Sequence, residues 1–282
     1  MRLSSMEGAF SQAHIILTGG IFLTALALSL GAQPWHLGFL AAVPHLTQIF
    51  QLIGAYLVEA TGRRKLIALF GAGISRLLWI GIPLLYLMSN PHAAMAWFLV
   101  IVTVSSSLGL VAGNAWTTWM ADLIPERLRG RYFGFRHGVM AAVTITVSMI
   151  GGIWLEWGSN LFGDSVALTL IVVFASLSGL IGMVLLGKQP DIPRPLERRA
   201  PVVRDLLLSP MKNREFRRSI QFFLAWNVAI GFTAAFFNVH MIQELGISFI
   251  TIGIFQSINP FLGIFMFKRW GRIIDRFQVR SI

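Results

Sequence analysis

The chain has no cysteine, so neither a disulfide nor a thiolate metal site can be built from its 282 residues. Charge is scarce too: charged side chains make up 12% of the sequence against 55% hydrophobic, far from the usage of a water-soluble domain. Acidic residues are scarcer still, and all twelve, from Glu7 and Glu59 to Glu244 and Asp275, fall in loops or near the ends of apolar runs. No carboxylate is therefore expected in a membrane interior. No Asp, Glu and His converge at catalytic spacing, which speaks against an integral membrane enzyme. The glycine pairs follow no strand pattern and read as close helix packing, among them Gly19-Gly20, Gly151-Gly152 and Gly179-x-x-Gly182. No nucleotide loop, cofactor or metal is expected. The net charge of +11 does not point to nucleic acid, because the cations are confined to particular loops without interleaved aromatic residues.

What the sequence has in abundance is long apolar runs. Eight approach the ~20 residues a helix needs to cross the hydrocarbon layer. They cover Phe10 to Leu30, Leu37 to Val58, Leu66 to Met88, Ala94 to Ala121, Tyr132 to Leu155, Val166 to Leu186, Ile220 to Ile242 and Ile247 to Phe267. The fold class is thus an all-α polytopic membrane bundle. Loops after the odd-numbered runs carry no Lys or Arg, whereas those after the even-numbered runs carry Arg63, Arg64 and Lys65, then Arg127, Arg129 and Arg131, then the cations from Lys188 to Arg218 and from Lys268 to Arg280. This alternation predicts a multi-pass protein of the cell inner membrane with a cytoplasmic N-terminus.

The chain divides at its one long polar segment. Residues 1–187 form six spans, 188–219 a proline-rich cytoplasmic linker with an amphipathic stretch over Val203 to Leu208 and Met211 to Arg218, and 220–282 two more spans and a basic loop. The last part repeats the first. Leu30-Gly31 and Gly38 match Leu245-Gly246 and Gly253, while Pro44 and Glu59 match Pro260 and Asp275 with one residue inserted. On this reading a six-helix unit starts over, and the chain is expected to be a fragment or truncated product short of about four helices.

Two features sit inside the runs. Arg76 lies roughly 15 Å into the third at 1.5 Å per residue, where an arginine must find partners, and Gln48 on the second reaches comparable depth. His14 and His45 are the histidines on spans that could relay protons.

The hairpin Glu59-Ala60-Thr61-Gly62-Arg63-Arg64-Lys65, and its echo Gly271-Arg272-Ile273-Ile274-Asp275-Arg276, resemble the signature of the major facilitator superfamily between helices two and three, with Ala55, Glu59 and Ala60 as departures. Asp122 to Gly134, with Pro125, Arg129, Gly130 and Arg131, is similar to the same superfamily's segment between helices four and five. The resemblance implies a twelve-helix secondary transporter, here eight, in which two bundles rock about a central site and cytoplasmic charges latch the inner side. Glu59, Gly62, Arg63, Arg64, Asp122, Arg129, Gly130, Arg131, Gly271, Asp275 and Arg276 would form the gating motif, with Arg63 near Asp122. The family's cavity-lining helices one, four and seven would offer Thr18, Asn114, Trp116, Thr117, Asn227 and Asn238, joined by Gln48. The implied cargo is a small solute, with protons as a possible coupling ion. The alternative is a non-transporting or truncated membrane protein.

Overall fold

The computed structural model describes residues 2–191 and 212–277, with some side chains beyond residue 231 left out. The amphipathic stretch expected over Val203 to Leu208 lies outside the described residues. The described elements are helical, and seven spans among them are long and apolar enough to cross a membrane.

The first span is α1 (Arg2–Leu17) followed by α2 (Gly20–Ser29). The second is α3 (Pro34–Leu46) and α4 (Phe50–Thr61), separated by a 3-10 turn over Thr47–Ile49 just after Pro44, whose missing N–H loosens the helix there. The third is α5 (Arg64–Leu78) and α6 (Ile82–Leu85), again joined by a 3-10 turn. Three unbroken helices follow: α7 (Pro91–Leu123), α8 (Glu126–Phe162) and α9 (Asp164–Gly187). The seventh apolar run falls on α10 (Arg214–Val239) and the π turn His240–Glu244, which are not among those seven spans, and the eighth on α11 (Phe249–Phe277), which supplies the seventh of them.

Helix starts follow local chemistry. Pro34 and Pro91 open α3 and α7, where a missing N–H costs nothing, and the Asn90 side chain caps α7 by accepting from His92 N at 3.0 Å and Ala93 N at 3.3 Å. Gly62 ends α4 at a φ of +66°, a left-handed cap that only glycine adopts without strain.

The core is built of large apolar side chains such as Phe22, Leu26, Trp79 and Phe98, and glycines let the helices approach closely around it. A Cβ on Gly71 would come within 3.1 Å of Ala112 Cβ, one on Gly54 within 3.1 Å of Val111 Cα, and one on Gly151 within 2.6 Å of Phe22 Cζ. These contacts draw α5 and α4 against α7, and the first span against α8. Even the best-packed spans bury only 39% of their apolar window, and large side chains such as Leu84, Leu87 and Phe174 face outward, as lipid solvation requires.

Gly19-Gly20 departs from the expectation of close packing. Helix α1 stops at Leu17, Gly20 takes a φ of +52°, and the pair breaks the first span instead. The repeated stretches share backbone features: Gly31 and Gly246 both have positive φ, at +81° and +58°, and Pro44 and Pro260 both lie inside helices.

Candidate functional site

One end of the bundle gathers the basic hairpins. Arg64, the first residue of α5, is buried and donates from Nη1 to Asp122 Oδ2 at the end of α7. Lys65 Nζ donates to the Gln189 carbonyl at 2.7 Å and lies 5.8 Å from the Trp119 ring centroid. Arg129 folds back on the turn before α8, donating to the Ala121 carbonyl at 2.5 Å and the Ile124 carbonyl at 3.2 Å, with Glu126 3.5 Å away. The hairpin after span two is thereby tied to the hairpin after span four and to the residues that follow span six.

The guanidinium that pairs with Asp122 is that of Arg64, next to the Arg63 expected near it. Arg63 precedes α5 with non-helical backbone and is exposed, while Arg64 starts the helix and turns inward. Glu59 is exposed. Gly130 and Arg131 lie in the first turns of α8, Gly130 half-buried and Arg131 exposed. Gly271, Asp275 and Arg276 belong to α11, but their side chains lie outside the described residues.

Deeper in the bundle lies a charge network that sequence reasoning missed. Glu7, only 3% exposed, sits in the second turn of α1, not in a loop, and is buried among the helices. Its Oε2 accepts from Arg136 Nη2 at 2.9 Å, and its Oε1 accepts from Ser11 Oγ at 2.5 Å and lies 3.8 Å from Arg76 Nη2. Arg76 also donates to Ser11 Oγ at 2.6 Å and to the Gly179 carbonyl at 2.9 Å. Arg136 also donates to the Ser4 carbonyl, and its guanidinium carbon stands 4.3 Å from the centroid of the Trp116 ring. Ser4 Oγ in turn lies 2.5 Å from the Tyr132 hydroxyl. Two guanidiniums thus share one carboxylate across α1, α5, α8 and α9.

Glycines create the space. A Cβ on Gly8 would fall 2.6 Å from Arg136 Cζ, and one on Gly182 3.2 Å from Arg76 Nη1. This explains why Arg76 does not meet Gln48, as its depth suggested. Gly179 and Gly182 open room toward α9 and α1, while Gln48 is exposed on the second span and accepts from Gln51 Nε2 at 2.5 Å. The signal for the network was present in Arg136, a second arginine inside an apolar run, which demands an acid within reach.

The proposed cavity residues are not gathered into one site. Thr18, Thr117 and Asn227 bond carbonyls of their own helices, those of His14, Gly113 and Phe223. Asn114 is half-buried beside Gly54, Trp116 packs on Arg136, and Asn238 has a side chain outside the described residues. His14 is buried with Nδ1 2.9 Å from the Ala175 carbonyl, while His45 is exposed. Among the described residues no group of three or more His, Cys, Asp or Glu could hold a metal ion.

Compared with known families, the chain matches the one described as Major Facilitator Superfamily over residues 9–282. No curated protein matches it.

Proposed function

The chain belongs to the Major Facilitator Superfamily and is a multi-pass membrane transporter, and we propose that it moves a small solute by alternating access, with the basic end of the bundle as its inner latch. The division into a bundle over 1–187, a linker over 188–219 and the start of a second bundle over 220–282 belongs to the same reading. So does placement in the cell inner membrane with the N-terminus inside, which the confinement of cations to alternate loops supports.

The observation that carries the latch is the Arg64–Asp122 pair. A buried guanidinium that loses an acid partner keeps its desolvation cost, so the pair resists separation of the two hairpins. Asp122 is 41% exposed in its side chain, and so the pair can exchange its partner for water during a conformational cycle. Where protons drive transport, His14 and Glu7 are among the buried titratable groups of the described residues.

The test is uptake of a solute panel by proteoliposomes with and without a proton gradient. Asp122→Asn is expected to insert normally and to lower the transport rate about tenfold or more, corresponding to the ~1.5–3 kcal/mol of a charged hydrogen bond. A panel that leaves the vesicles empty under every gradient overturns transport, and an unchanged rate in Asp122→Asn overturns the latch.

A further inference from the structure

At the basic end, a cavity of about 180 Å³ opens between α1, the α7–α8 turn and the residues that follow α9. Its walls are mainly apolar, with Met120, Leu123 and Ile124 prominent, and three side chains bring polar atoms: Ser4, Tyr132 and Gln189. The two hydroxyls are already engaged, 2.5 Å from each other, and Ser4 Oγ also receives Arg136 Nη1 at 3.2 Å. Gln189 is different. It is 2% exposed, and among the described residues neither its amide oxygen nor its amide nitrogen has a hydrogen-bond partner.

An amide withdrawn from water without partners costs about 1–3 kcal/mol, so something is expected to fill the space before it. Water is a poor occupant. The volume holds several molecules, each wanting two to four polar partners, and the walls supply little beyond the one amide. The unused groups are one donor and one acceptor on the same planar amide, which together match the paired edge of another amide. A carboxylate would satisfy Nε2 but press its lone pairs against Oε1.

We propose that this cavity binds a small uncharged molecule presenting a carboxamide or lactam edge to Gln189, with an apolar body against Met120, Leu123 and Ile124. The site does not depend on the transport reading. The backbone of Gln189 is held independently, through its carbonyl, by Lys65 Nζ at 2.7 Å, so the side chain can be changed without releasing that tie.

The probe is benzamide, titrated against the full chain in phosphatidylcholine nanodiscs and read by saturation-transfer NMR, with empty nanodiscs correcting for partition into lipid. Saturable binding is expected, weakened about tenfold or more in Gln189→Leu, which keeps the side-chain volume and removes both polar atoms. Leu123→Trp, which fills the cavity, is expected to abolish it, and benzoate is expected to bind more weakly than benzamide. Where Gln189→Leu fails to fold, Leu123→Trp decides. Absence of saturable binding to the parent chain, equal binding by either folded variant, or a preference for benzoate overturns the proposal and leaves the cavity to water.

Discussion

Glu7 illustrates how one side chain can hold four helices together. Alone, a guanidinium in a bundle bathed by lipid costs several kcal/mol, and here two of them converge on a single carboxylate that is itself out of reach of water. Further donors go to Ser11, Ser4 and the Gly179 carbonyl, so the excess positive charge is spread over hydroxyl and peptide dipoles. Glu7→Gln keeps the shape and removes the neutralising charge. It is expected to destabilise the protein by about 3–5 kcal/mol in denaturant unfolding from micelles, and Glu7→Gln combined with Arg136→Met to recover more than half of that loss. A Glu7→Gln chain as stable as its parent would show that the network is not neutralised through this carboxylate.

The elements depend on where glycines stand, and two of them give opposite expectations. Gly182 on α9 faces Ser11 Oγ and Arg76 Nη1, at 3.1 and 3.2 Å from an added Cβ, whereas Gly113 on α7 has nothing within 4 Å. Gly182→Ala must push the charge network apart and is expected to cost about 1–3 kcal/mol by the overpacking penalty. Gly113→Ala is expected to be neutral or to stabilise by up to about 1 kcal/mol through helix propensity, with the same unfolding measurement separating the two. This is also the scale at which sequence reasoning lost information. The first apolar run begins at Phe10, yet α1 begins at Arg2, with Ser4, Ser5 and Glu7 buried and Ser4 and Glu7 bonded to Tyr132 and Arg136 on α8. Hydropathy counts the residues of one helix; it does not count the acceptors its neighbours bring. For the same reason the hairpin motif was legible as a motif, but which of two adjacent arginines turns inward depended on where α5 begins.

For the whole molecule, the long runs and the glycine and proline matches between the two ends of the chain carried the architecture, because lipid solvation and backbone geometry act on residues one at a time. Helix pairing was less accessible: α11 packs along α8, where a Cβ on Gly253 would meet the Ser148 carbonyl at 3.2 Å and one on Gly152 the Phe249 carbonyl at 3.0 Å, and although Gly151-Gly152 marked α8 for close packing, nothing local names α11 as its partner. The sidedness of the membrane follows from charge alone and can be tested cleanly, because the chain has no cysteine of its own to compete for label. Ser89 and Thr61 are both exposed, the first in the uncharged turn before α7 and the second beside the basic hairpin. If lysine and arginine are retained on the inner side, Ser89→Cys in intact cells reacts with a membrane-impermeant maleimide, and Thr61→Cys reacts only after the membrane is opened. The reverse pattern would place the Arg64–Asp122 pair on the outer face, where it could no longer serve as the inner latch of a transport cycle.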